Sequence, residues 1–277
     1  MDPDTITTVR SSTVQHGSTS DRVYLMRLAP RDLPGILDDL EELAAGRGYG
    51  KIFARIPASS RDPFLSRGYV VEARIPGLFQ GVEDGYFISL FRDPERSRDD
   101  RLKDMARAGD PAHAGNGRPR PLPPEATCSR AEQEDAPALA ALYREVFPTY
   151  PFPIDSEAFI RESMVKGVVY YGIRFSGTLV AASSAEVHGE EENAEMSDFA
   201  THPAFRGLGL SGHLLREMEG AMRTAGLKTV YTIARAASFP MNLTFARAGY
   251  DFGGVLLNNT GICDGLESMN VWYRSLQ

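Results

Sequence analysis

With 277 residues, a formal charge of −7 and 42% apolar residues, the chain has the length for about two domains and the composition of an ordinary globular protein. The acidic excess argues against a general nucleic-acid surface, and no apolar run approaches the ~18 residues of a membrane span. Two cysteines, Cys128 and Cys263, are too few and too far apart for a disulfide scaffold or a zinc site, and read as reduced thiols of a cytosolic protein.

In chain order, residues 1–20 are polar, lack the apolar core of a signal peptide and read as a disordered tail. Residues 32–48 read as a helix: Leu33, Ile36, Leu37, Leu40, Leu43 and Ala44 recur at three- and four-residue steps, with Asp32 as cap and Pro34 in the first turn. Strands follow at 51–56, 70–75 and 86–91. Residues 93–125, charged and then proline-rich, read as a linker.

A second unit, 126–277, opens with a strand at 127–130 and a helix at 134–147. The aromatic loop Pro148-Thr149-Tyr150-Pro151-Phe152-Pro153-Ile154 is stiffened by its prolines, and Asp155 is placed to cap a helix over 155–166. A hairpin over 168–187 turns at Ser176-Gly177. A polar turn at 189–193 leads into Glu195-Met196-Ser197-Asp198-Phe199-Ala200, which alternates as a strand does. After the turn Thr201-His202-Pro203 comes Arg206-Gly207-Leu208-Gly209-Leu210-Ser211. An amphipathic helix then runs to Gly226, with Leu210, Leu214, Leu215, Met218, Ala221, Met222 and Ala225 on one face. A strand at 229–234, a short helix at 239–248 and two strands at 250–258 and 267–274 complete an α/β chain with a mixed sheet.

Strand, glycine turn and helix together present free backbone N–H groups to an anion, which suits a phosphate or pyrophosphate; the same residues also read as a plain joining turn. The spacing matches neither the G-x-x-x-x-G-K-[ST] loop nor the G-x-G-x-x-G fingerprint. It resembles the acetyl-CoA loop [RQ]-x-x-G-x-[GA] of the GNAT N-acetyltransferases through Arg206, Gly207, Leu208, Gly209 and Leu210, with Ser211 where Gly or Ala is usual. The strand and helix order of 126–277 resembles that fold as well. The resemblance implies acetyl-CoA as cosubstrate, no metal, and contacts to pantetheine from Phe199, Ala200 and Thr201. Phe-x-x-x-Gly-Tyr occurs in both halves, at Phe64-to-Tyr69 and Phe245-to-Tyr250. Residues 21–92 therefore read as a degenerate GNAT-like half-copy that extends the sheet or walls the pocket, or else as a chance likeness of two helix–turn–strand units.

Attack of an amine on acetyl-CoA needs a neutral nitrogen, and a lysine-type amine has an ordinary pKa of about 10.4, so a base must help. Glu195 is the first candidate and Asp198 the second. On a regular strand the two point to opposite faces, so at most one meets the reaction centre unless a bulge intervenes; each also reads as a solvated or capping carboxylate. The resemblance places Phe245 where many members keep a tyrosine that protonates the thiolate, and Ser238 where an asparagine is usual, so that Asn242 is expected against the pantetheine arm. His202 and His213 read as exposed.

Three stretches narrow the resemblance: 146–154, 194–201, and Asn258-Asn259-Thr260 with Glu267 to Tyr273. Together they resemble the beta-lysine N-acetyltransferases, over most of the chain. This implies transfer from acetyl-CoA to the N6 amine of 3,6-diaminohexanoate, giving an osmolyte with an uncharged side chain. The partner is then a small-molecule amine, with no nucleic acid and no membrane. Asp198 and Glu267 are candidates for the substrate's second ammonium. Asn258, Asn259 and Tyr150 are candidates for its carboxylate, and Tyr150 and Phe152 for walls along its methylenes. An acetyltransferase for another amine and a non-catalytic CoA-binding protein are the competing readings.

Overall fold

The computed structural model describes residues 4–102, 121–262 and 265–277. Among them, thirteen strands form one mixed sheet: β1 (Thr5–Val9), β2 (Ser12–Gly17), β3 (Arg22–Arg27), β4 (Lys51–Pro57), β5 (Val70–Phe79), β6 (Glu83–Phe91), β7 (Ala126–Arg130), β8 (Val168–Phe175), β9 (Thr178–His188), β10 (Asn193–Thr201), β11 (Thr229–Arg235), β12 (Asp251–Ile262) and β13 (Gly265–Ser275). The helices are α1 (Gly35–Arg47), α2 (Arg61–Leu65), α3 (Ala136–Val146), α4 (Glu157–Val165), α5 (Leu210–Thr224) and α6 (Phe239–Arg247). The strand order is β1-β2-β3-β4-β6-β5-β12-β13-β11-β10-β9-β8-β7.

Two connectivities repeat along that order. In the first half β3 and β4 are parallel and joined by α1, and α2 leads to the β5–β6 hairpin. In the second β10 and β11 are parallel and joined by α5, and α6 leads to the β12–β13 hairpin. The parallel registers begin at Arg22↔Lys51 and Asn193↔Thr229, which sets Tyr24 and Phe53 in the first half where Glu195 and Tyr231 stand in the second. The halves join edge to edge through β5 and β12 at Ala73↔Gly254. Gly254 has φ 143°, and a Cβ there would lie 2.2 Å from the Glu72 carbonyl oxygen, so this approach requires glycine.

Strand alternation sends each half's residues to two faces. Val23, Leu25, Ile52, Ala54 and Ile56 bury under α1, whose Ile36, Leu37, Leu40 and Ala44 form its core-facing stripe. Ala194, Met196 and Val230 likewise bury under Leu215, Met218 and Met222 of α5. The intervening residues, among them Tyr24, Phe53, Tyr231 and Met269, form a shared core on the other face. Glu195 also lies on that face, away from α5.

Several expectations need correction. The segment read as a disordered tail contains β1 and β2. Its buried positions include the polar Ser12 and Gln15, whose side chains hydrogen-bond to Asp32 and Arg22, so no apolar alternation marked the strands. Asp32 does not cap α1; its carboxylate accepts from Ser11 N and Ser12 Oγ, and the N-cap position is Pro34. Ser156, not Asp155, caps α4 through its hydroxyl. The stretch read as linker begins with a 3-10 turn, Pro94–Ser97, whose Arg96 is buried; residues 103–120 lie outside the described residues, as does Cys263. His213 is buried in α5 rather than exposed. Cys128 is half-buried, and burial pushes its thiol up to about 11, out of reach as a nucleophile.

Beside the shared core, polar contacts also join the halves. Arg55 of β4 pairs with Glu191 at 2.6 Å, Gln80 N donates to Glu191 O at 2.7 Å, and Asn193 Nδ2 donates to Leu78 O at 2.9 Å. The β12–β13 register shifts between Leu256 and Thr260, so the carbonyls of 257–259 are turned toward the first half. Three buried cations take them: Lys51 Nζ the Leu257 oxygen at 2.8 Å, Arg96 the Asn258 oxygen, and Arg22 Nη1 the Asn259 oxygen.

Candidate active site

The parallel pairing of β10 with β11 ends at Glu195↔Tyr231. Beyond it β10 remains paired only with β9, and that pairing is broken by a bulge between Ser197 and Ala200. His202 N donates to Val180 O at 2.9 Å. By the alternation of an antiparallel ladder, the backbone of Thr201 therefore faces away from β9, into the gap beside β11. Its N–H is thus free of the ladder and points into that gap.

At the mouth of the gap stands the glycine turn. Gly207 (φ 82°) and Gly209 (φ 75°) both adopt the left-handed region, and Gly209 occupies the N-cap of α5. A Cβ built at either meets nothing within 4 Å. The turn therefore leaves open space over the first-turn N–H groups of a fifteen-residue helix. Leu208 is exposed, Leu210 buried, and Arg206 Nε reaches the Thr201 carbonyl at 3.4 Å. These residues fit a pyrophosphate laid on the helix terminus with its arm in the gap. Because Gly209 has no protein neighbour to clash with, Gly209→Ala is expected to lower the melting temperature by only a few degrees, through about 1–2 kcal/mol of left-handed strain. The same change is expected to raise the KM for acetyl-CoA at least about tenfold by crowding the ligand. Equal KM values for variant and wild type would remove the pyrophosphate from this turn.

On the face opposite α5 a cavity of about 90 Å³ lies between the halves. Arg22, Tyr24, Phe53 and Arg55 wall it from the first half; Glu186, Glu195, Ser197 and Tyr231 from the second; Tyr150 and Phe152 from the aromatic loop; and Asn259 from β12. Glu195 and Glu186 are register partners, so the cavity floor carries adjacent carboxyls. The bulge puts a third in the adjoining pocket, which shares Glu186 and Phe152 with this cavity. Asp198 takes φ 54°, which brings its carboxylate onto the same face, where Tyr150 Oη and Ser184 Oγ each donate to it at 2.6 Å. Glu195 and Asp198 are thus not opposed, as a regular strand would have them.

The three carboxyls differ in surroundings. Burial raises Glu186 well above the usual range, and the neighbouring Glu195 and Asp198 raise it further. Burial raises Glu195 to about 7, against the pull of Arg55 and a hydrogen bond from Tyr231. Burial also raises Asp198, opposed by the hydroxyls of Ser184, Tyr150 and Ser197. Glu195 is therefore the carboxylate poised to take a proton near neutrality, and Asp198 the one already held by hydroxyl donors.

Other expected site residues lie elsewhere. Asn242 is buried with its side chain committed: Nδ2 donates to the carbonyls of Arg235 and Ser238, and Oδ1 accepts from Asn270 and Trp272 Nε1. It has no group left for pantetheine. Phe245 is fully buried, edge-on to Phe199 and Tyr250, and faces the core rather than a ligand. Asn258 donates to the carbonyls of Arg96 and Arg98, and Glu267 is held by Arg235 at 2.6 Å; neither lines the cavity. Arg22, Arg55 and Glu186 line it without having been singled out in the sequence. For Glu186 the signal was its register opposite Glu195 in the hairpin; Arg22 and Arg55 carried none, because the half that bears them lies far away in sequence.

A parallel pair that splays after a carboxylate, a bulge beside it and a glycine turn opening the following helix define an acyl-CoA-dependent N-acyltransferase. Residues 136–250 match the model of the acetyltransferase (GNAT) family. The chain is 33% identical over 273 residues to a beta-lysine N(6)-acetyltransferase of Methanococcus maripaludis, covering 96% of this chain and 97% of that one. It is 32% identical to the enzyme so named from Methanosarcina mazei, over 86% and 95%. It is also 39% identical to the N-acetyltransferase YodP of Bacillus subtilis, over 55% and 56%. The chain belongs to the GNAT acetyltransferase family, and its likeness to the beta-lysine N(6)-acetyltransferases extends through both halves. Acetyl-CoA is accordingly its cosubstrate, and no cluster of metal-ligating side chains occurs among the described residues. No helix among them is long and apolar enough to cross a membrane.

Proposed function

We propose that the protein transfers the acetyl group of acetyl-CoA to the N6 amine of beta-lysine by direct attack in a ternary complex. The observation that carries this reading is the buried, carboxyl-lined cavity against the end of the β10–β11 splay, closed by the first half. A relative named for this reaction matches both halves. The acceptor is a small dication bearing one carboxylate, and the site offers both signs of charge at low exposure.

The residues act in sequence. Glu195 removes a proton from the N6 ammonium, directly or through water. With its carboxyl near 7, the gap to an amine of about 10.4 is roughly half that facing an ordinary glutamate. Asp198, whose carboxyl accepts from Tyr150 and Ser184, lies beside it. The neutral nitrogen attacks the thioester carbonyl, whose oxygen is met by the Thr201 N–H. The collapsing intermediate releases CoA as a thiolate, stable enough near its ordinary pKa of about 8.5 to leave without a tyrosine donor at Phe245, and the proton still on the attacking nitrogen passes through water to the thiolate or to solvent, leaving the neutral amide. The first half has Tyr24 in place of the base and Pro34 in place of a glycine turn; it walls the pocket and binds no CoA. The product, with its charge reduced by one, serves as an osmolyte in the cytoplasm.

The test is CoA release from acetyl-CoA with beta-lysine, alpha-lysine and spermidine compared side by side. Release that is at least roughly a hundredfold faster, as kcat/KM, with beta-lysine supports the assignment. Preference for spermidine moves the acceptor to polyamines. Binding of acetyl-CoA without release for any amine ends the enzyme reading.

A further inference from the structure

The cavity has a polar end that the acetyl-transfer chemistry leaves unused. Arg22 of β3 is buried, and among the described residues no carboxylate comes within ion-pair distance of it, whereas the neighbouring Arg55 is neutralised by Glu191. Its Nη1 donates to the carbonyl of Asn259 and, at 3.0 Å, to Thr260 Oγ1, and its Nη2 donates to Gln15 Oε1 at 3.2 Å. Its Nε has no hydrogen-bond partner, and neither has Gln15 Nε2 nor Asn259 Oδ1. All three side chains line the same cavity. Buried polar atoms are satisfied in all but a few cases, so three orphans at one end of one cavity point to a group that binds there. The orphans are two donors on a cation and an amide, and one acceptor.

We infer that Arg22, Gln15 and Asn259 form the receptor for the zwitterionic head of the acceptor: Arg22 Nε and Gln15 Nε2 hold its carboxylate, and Asn259 Oδ1 accepts from its 3-ammonium. This rests on the beta-lysine reading of the same cavity and deepens it, because it places selection for an amino acid over a plain diamine in the first half of the chain. The division of labour follows from burial. A buried cation with no carboxylate in ion-pair contact binds an anion strongly, and a site left with orphaned donors rejects a ligand that lacks one. Glu195, on the cavity floor, is left to the amine that reacts.

The experiment measures kcat/KM for beta-lysine and for 1,4-diaminopentane, the same skeleton without its carboxylate, in wild type, Arg22→Gln and Arg22→Lys. Wild type is expected to favour beta-lysine by roughly 10³-fold or more. Arg22→Gln is expected to lower kcat/KM for beta-lysine about a hundredfold, mainly through KM, and to shrink the ratio between substrates by a similar factor; Arg22→Lys is expected to recover part of it. An equal loss on both substrates, or none on either, overturns the receptor. If Arg22→Gln fails to fold, as judged by melting and acetyl-CoA binding, Gln15→Met decides: a ratio reduced about tenfold supports the receptor, and an unchanged ratio overturns it. Wild type that acetylates the diamine and ignores beta-lysine refutes the beta-lysine reading itself, which separates the two failures.

Discussion

Glu195→Gln lowers kcat by roughly 10²- to 10³-fold, the range a positioned base contributes. The amide keeps the volume and the contact with Tyr231 but cannot accept the proton. The pH profile carries the finer test. A base works only when deprotonated, and burial lifts this carboxyl to about 7, so kcat/KM of the wild type falls tenfold per pH unit below that value and levels above it. In Glu195→Gln the inflection near 7 disappears. Asp198→Asn separates the two carboxylates: its hydroxyl partners remain, so the inflection near 7 persists and moves slightly downward as a neighbouring negative charge is lost. A profile of Glu195→Gln that still bends near 7 would move the base elsewhere.

Glu72→Leu destabilises the protein by about 3–5 kcal/mol, the penalty for leaving one member of a buried pair alone. Glu72 is almost fully enclosed on β5 and accepts from Lys51 Nζ at 2.8 Å, from Leu257 N at 2.6 Å and from Ser89 Oγ. Its loss leaves Lys51, whose side chain is fully buried and whose ammonium burial already pulls down to about 7, without its carboxylate, and frees the displaced backbone of β12 at the junction of the halves. A fall of roughly 10 °C in melting temperature is expected for a chain of this size. The double variant Lys51→Met/Glu72→Leu removes both charges and is expected to recover most of that loss, since an apolar pair of similar volume replaces the ion pair well. A single variant that melts within 2 °C of wild type, or a double variant no better than the single, would show that the network does not clasp the halves together.

The local sequence determined a good deal of this protein. The apolar stripes of α1 and α5, the Ser176-Gly177 hairpin and the Gly207–Gly209 turn depend on period and on left-handed glycines, both properties of neighbouring residues. Glu195 was legible for the same reason, at the end of an alternating strand. The tail was misread because β1 and β2 bury Ser12 and Gln15, whose partners Asp32 and Arg22 lie outside those strands. Asp198 reaches the face of Glu195 only through a bulge, set by pairing with β9, that reverses the face alternation assigns. Asn242, Phe245, Asn258 and Glu267 had the right chemistry for ligands, but the tertiary structure had already committed them to Trp272, Phe199, Arg96 and Arg235. What only the folded chain decided is the cavity itself. Arg22 and Arg55 line one cavity with Glu186 and Glu195 across well over a hundred residues of chain, through a sheet that joins two halves at a glycine, and burial there raises Glu195 toward neutrality.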